Sequence, residues 1–163
     1  VNDKIAKPEE TLLNVGTFYG YYETKDGRYF SVGSLEPKFR KLLCEGIGRP
    51  ELYELSLSED KNDIKQFKTI LKEVFLTKTF DEWQEIFQEV EACVEPVLTF
   101  DEACNHPHTQ ARGLIVDVPD LNGGYQKQIG CPIKTSLFTP EYKHVGLQPG
   151  SHNEEFLEKN GSK

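Results

Sequence analysis

Residues Phe18 to Leu43 read FYGYYETKDGRYFSVGSLEPKFRKLL, and the fold is decided there. Asp26-Gly27 lies between two runs rich in aromatic and β-branched residues, the pattern of a β-hairpin. Gly27 supplies the positive φ that a tight turn needs. The second run ends at Gly33-Ser34, and Leu35-Glu36-Pro37 follows. Proline suits the first turn of a helix, where its missing N–H would have had no partner. Phe39, Leu42 and Leu43 then keep helical spacing up to Gly46, where the helix is expected to stop. One carboxylate, Glu36, is thereby placed where a strand hands over to a helix, a position the helix dipole favours for an acid.

Working outward, Asp60 and Asn62 are candidate caps at the end of a charged loop, Ser56 to Asn62. Ile64, Phe67, Ile70, Leu71, Val74 and Phe75 then recur as one helical face. Thr79-Phe80-Asp81-Glu82 is a capping box, and Thr99-Phe100-Asp101-Glu102 repeats it. The first opens a helix with Phe80, Trp83, Ile86, Phe87 and Val90 on one face. Between the two, Cys93 to Leu98 suits a buried strand, but Pro96 demotes it to an edge. After His106 the helical period ceases. Leu114 to Val118 alternates as a strand, Asn122-Gly123-Gly124 is a turn, and Gln126 to Ile133 is a candidate partner strand. Glu154 to Lys159 reads as a final helix. Residues Val1 to Gly16 are polar and without period, a lead-in with Leu12-Leu13 docking at its end.

Composition narrows the function classes. The chain has 163 residues, 37% hydrophobic and 28% charged, with net charge −8. That charge argues against nucleic acid as a partner, since phosphate neutralisation needs clustered Lys and Arg. No apolar run approaches the roughly 20 residues of a membrane span. No signal peptide is visible, and a cytoplasmic protein is expected. Cys44, Cys93, Cys104 and Cys131 form no C-x-x-C pair, so buried reduced thiols are expected rather than zinc. His106 and His108 flank a proline, and such residues are more often loop histidines than metal ligands. His144 and His152 read as surface or cap residues, and Arg112 as a salt-bridge partner rather than a phosphate ligand. Phe18, Tyr19, Tyr21 and Tyr22 read as core or interface rather than as the lining of an acyl pocket. The chain begins at Val1 and contains no methionine, which suggests a segment of a longer protein.

Several of these stretches together resemble the second domain of family III CoA-transferases, and within them the α-methylacyl-CoA racemases. The resemblance rests on Leu12-Leu13, Phe18-Tyr19, Tyr22, Asp26-Gly27-Arg28-Tyr29, Val32-Gly33 and above all Leu35-Glu36-Pro37-Lys38-Phe39. It continues through Phe80-x-x-Trp83, Ala92-Cys93-Val94-x-Pro96-Val97 and His106-Pro107-His108 with Ala111-Arg112-Gly113. It ends with Ile129 to Lys134, Thr139-Pro140 and Gly150 to Leu157.

The resemblance implies an α+β fold: a small domain with a short antiparallel sheet flanked by helices, then an extended C-terminal segment with short strands and a terminal helix. Residues 1–17 would be the lead-in and 18–106 the small domain. Residues 107–163 would be a return segment packing on a large domain that this chain lacks. In the racemases a histidine and an aspartate of the large domain exchange the α-proton of a 2-methylacyl-CoA. A small-domain glutamate of the other subunit supports that histidine. The motif carries this role onto Glu36, the only catalytic residue implied here. Taken by itself, Glu36 is an acid at a helix N-terminus facing water. The resemblance further implies an interlocked homodimer, an acyl-CoA thioester as substrate, and no cofactor or metal, CoA being part of the substrate. Two alternatives stay open: a family III CoA-transferase moving CoA between carboxylic acids, and a non-catalytic interaction domain of the same fold.

Overall fold

The computed structural model describes residues 16–160, so the expected Leu12-Leu13 docking lies outside the described residues. The chain divides into two compact units, one through Val97 and one from Leu98 onward.

The first unit is built on the hairpin. Strand β1 (Gly20–Glu23) pairs antiparallel with β2 (Tyr29–Val32), with Tyr22 opposite Phe30. Strand β3 (Val94–Pro96) adds to the other side of β2, giving the order β1-β2-β3. Pro96 therefore sits on an edge strand, where its missing donor costs least. Alternation along β1 sorts the tyrosines: Tyr22 is 1% exposed and Tyr21 71%. The Tyr22 hydroxyl donates to the Phe18 carbonyl, and burial pushes its pKa well above the ordinary range. Phe18 is buried too, so the aromatic run serves the core at Phe18 and Tyr22 and solvent at Tyr21.

Helix α1 (Pro37–Gly46) follows β2 directly. It ends at Gly46 as expected, but the left-handed residue is Gly48, at φ 72°. Gly46 is needed for closeness: a Cβ there would stand 2.9 Å from the Phe87 ring. A short 3-10 turn at Pro50–Leu52 leads into helix α2 (Tyr53–Leu57), so helix reaches into the expected loop at Ser56 and Leu57. This five-residue helix is too short to show a period. Helix α3 (Lys61–Phe75) is capped by Asp60, which accepts from the backbone N–H groups of Asn62 and Asp63. Its buried residues, Phe67, Leu71 and Phe75, recur every four positions. Helix α4 (Phe80–Gln88) opens on the Thr79 capping box and buries Phe80, Trp83 and Phe87. Phe75 is the hub. Its ring lies 5.0 Å from Trp83 and 5.3 Å from Tyr22, and its carbonyl accepts from the Trp83 indole N–H at 2.9 Å.

The hairpin tip is tied to α4. The Asp26 carboxylate accepts from the Thr24 hydroxyl at 2.5 Å and from the Phe80 backbone N–H at 3.0 Å. Arg28 lies over the Phe80 ring, 3.4 Å from its centroid. The Thr24 hydrogen bond, helped by that of Phe80 and the Arg28 charge, holds the Asp26 carboxyl below its ordinary value of 3.8. A depressed native pKa gives stability that is present above the unfolded value and lost as pH falls through the native one. The advantage of wild type over Asp26→Asn in urea midpoint is therefore expected to shrink between about pH 5 and about pH 2. A difference independent of pH would show that the charge on Asp26 contributes nothing.

The second unit is thin. Helix α5 (Phe100–Asn105) opens on the Thr99 capping box. A further helix, α6 (Pro107–Ala111), occupies residues where no helical period is legible. Its start is set locally by Pro107 at its first position and by His106, whose Nδ1 accepts from the His108 N–H at 3.2 Å. Strands β4 (Ile115–Pro119) and β5 (Tyr125–Ile129) form an antiparallel ribbon around the Asn122-Gly123-Gly124 turn. Asp120 closes that turn by accepting from the N–H groups of Asn122 and Gly124. The last helix, α7, spans Asn153–Asn160. Val118 is the buried apolar side chain here, whereas Tyr125, Ile129, Ile133, Leu137 and Phe138 are exposed.

Among the described residues, no helix is long and apolar enough to cross a membrane.

Candidate functional site

Glu36 is the N-cap of α1, with extended backbone at φ −78° and ψ 146°. Its carbonyl accepts from the N–H groups of Phe39 and Arg40, both at 3.0 Å, which starts the helix. Its side chain makes no capping hydrogen bond and is exposed. The carboxylate therefore stands at the positive end of a ten-residue helix without being used to cap it. Chemically it is free to accept from a group outside this unit.

The backbone around it is held from both sides. The Gly33 N–H donates to the Cys93 carbonyl at 2.8 Å, and the buried Ser34 hydroxyl donates to the Ala92 carbonyl. The Arg40 guanidinium donates from Nε to the Leu35 carbonyl at 2.8 Å and from Nη1 to the Ser56 carbonyl. Cys93 has φ 54°, a left-handed conformation uncommon for a residue with a side chain. Its exposed thiol is raised above its ordinary range by desolvation and then by the charge of Glu36. A cavity of about 200 Å³ lies beside Arg40, lined by Thr17, Phe18, Ser56, Ser58 and Ile64 among others, with Glu36 outside its lining.

The remaining candidates separate. Of the cysteines only Cys44 is buried, its thiol pushed up to about 11 by desolvation; Cys93 is exposed and Cys104 and Cys131 are intermediate. Burial was expected for all four, and the edge position of Cys93 and the thinness of the second unit explain the difference. Arg112 is exposed and makes no ion pair among the described residues, so the expected salt bridge is not formed there. His106 caps α6 rather than lying idle in a loop. His144 and His152 are exposed with their rings 5.5 Å apart. Among the described residues, no three His, Cys, Asp or Glu side chains come together as a metal site. Sequence reasoning missed the part that Ser34, Ala92 and Arg40 take in fixing the strand–helix junction. Its hydrogen bonds to Ala92 and Ser56 join residues 58 and 16 apart, a separation no local pattern encodes.

The fold is thus a mixed α and β arrangement of short antiparallel sheets flanked by helices, with a free glutamate at the junction of strand and helix. The chain belongs to CoA-transferase family III, whose family model matches residues 3–153. It is 36% identical over 155 residues to the alpha-methylacyl-CoA racemases of Homo sapiens and of Mus musculus. That similarity covers 93% of this chain and 39% of each racemase, so the chain spans well under half the length of these relatives. The formyl-CoA:oxalate CoA-transferase of Escherichia coli is 28% identical over 125 residues, covering 72% of this chain and 29% of that protein. Among solved structures, Rv3272 from Mycobacterium tuberculosis superposes with TM-score 0.62 at 21% identity, covering 89% of this chain and 42% of that one. A CAIB/BAIF family protein from Brucella suis superposes with TM-score 0.59 at 18% identity, covering 86% and 37%. These structures share the fold.

Proposed function

We propose that this chain is the small domain and C-terminal return of a racemase that inverts the α-carbon of 2-methylacyl-CoA thioesters. The observation that carries the reading is Glu36: an exposed carboxylate, unused as a cap, in a segment similar throughout to the racemases. Inverting a carbon beside a thioester needs one acid–base group on each face, poised near neutral pH. It also needs the thioester oxygen polarised as charge moves onto it. The acid–base pair would lie in the large domain. Glu36 would accept a hydrogen bond from an imidazole of the other subunit, orienting the ring and raising its basicity. The exposed apolar residues of the second unit, Ile129, Ile133, Leu137 and Phe138, would then be covered by the large domain.

A transferase that passes CoA between carboxylic acids is the second reading, favoured by the similarity to formyl-CoA:oxalate CoA-transferase. One experiment separates them. The whole protein is given a single enantiomer of a 2-methylacyl-CoA in deuterated water, with and without an added carboxylate. Deuterium at the α-carbon with loss of optical purity is expected. CoA transfer to the carboxylate without exchange would replace the racemase by the transferase.

A further inference from the structure

The Glu36 side chain makes no capping bond, so its position is inherited from the backbone of residues 33 to 36. Ser34 is the one side chain of that run that is both polar and fully buried. We propose that Ser34 is a positioning residue: its hydroxyl, donating to the Ala92 carbonyl, holds the junction from which Glu36 meets its partner. The proposal rests on the reading of Glu36 given above.

The geometry is specific. In a regular strand, successive carbonyls point to opposite sides, so one neighbouring segment can use only every second one. Cys93, at φ 54°, breaks that alternation. As a result the consecutive carbonyls of Ala92 and Cys93 both serve the Gly33–Ser34 segment, one taking the Ser34 hydroxyl and the other the Gly33 N–H. The Leu35 N–H turns back to the Gly33 carbonyl at 2.8 Å, and Arg40 takes the Leu35 carbonyl from the far side. Each of the three residues before Glu36 is thus tied. The Ser34 tie is the one that a side-chain substitution at the junction itself removes. Alanine there leaves the Ala92 carbonyl buried against a methyl group, and the loop at 92–93 and the junction at 33–36 lose one of their two links.

A double-mutant cycle tests this in the whole protein, with 2-methylacyl-CoA as substrate. Ser34→Ala is expected to lower kcat roughly tenfold, the low end of the loss seen when a hydrogen-bond partner behind a metal-ligating residue is removed, with KM little changed. In a Glu36→Gln background the same substitution is expected to change nothing further. Ser34→Cys, close in volume and a far weaker donor, guards against misfolding of the alanine variant and is expected to behave like it. Equal losses in both backgrounds, or none in either, would overturn the positioning role and leave the Glu36 reading intact. Wild-type turnover in Glu36→Gln would overturn both.

Discussion

Glu36→Gln in the whole protein is expected to lower kcat by roughly 10²-fold, because the imidazole it supports is an acid–base group whose positioned proton transfer is worth roughly 10²–10⁴-fold, while KM for the acyl-CoA changes little. The amide keeps the size of the side chain and one acceptor oxygen but loses the charge. A carboxylate hydrogen-bonded to an imidazole favours its protonated form, so removing the charge lowers the basicity of the ring. The expected signature is therefore a fall in kcat with the acid limb of its pH profile moved to lower pH. Folding is expected to be untouched, because the Glu36 side chain is exposed and makes no cap bond. Circular dichroism and urea midpoint matching wild type, with turnover lost, would meet the expectation. Wild-type turnover would remove the assigned role and leave Glu36 as a solvent-facing helix terminus.

Phe75→Ala is expected to be the most damaging single truncation of the first unit, costing about 3–5 kcal/mol. Its side chain is fully buried and its ring neighbours Tyr22, Phe30, Trp83 and Phe87. Four aromatic partners from β1, β2 and α4 would lose contacts at once, and rings of that size cannot collapse into the space without moving backbone. The Phe75 carbonyl that accepts from Trp83 survives the change, so the loss measured belongs to the side chain. With ordinary domains stable by about 5–15 kcal/mol, that loss is a large fraction of the total. The single tryptophan, Trp83, lies against Phe75 and gives the readout, as fluorescence through a urea titration. Tyr21→Ala, on the open face of the same sheet, is the control and is expected within about 0.5 kcal/mol of wild type. Equal losses for the two would show that Phe75 is no hub.

How much of this was legible in advance depended on the range of the interactions. The hairpin around Asp26-Gly27, the Thr79 and Thr99 capping boxes, the Asp60 cap and the four-residue rhythm of α3 are set by neighbours within one turn. So is Glu36 at the N-terminus of α1, because Pro37 fixes where that helix can begin. The short helices α2 and α6 escaped, since five residues carry too little period to read. The family, too, was legible from the order of its motifs.

Local chemistry along the chain thus settles where strands turn, where helices start and which glutamate stands at a helix entrance. Which of those groups remain free is a matter of long-range packing. Packing paired β3 with β2, turned the Cys93 backbone left-handed, and used the carbonyls of Ala92 and Cys93 to hold Ser34 and Gly33. It buried Ser34 and left Glu36 in solvent two residues later. Caps and turns are satisfied within three or four residues, whereas burial and cross-chain hydrogen bonds depend on which distant segments the core brings together.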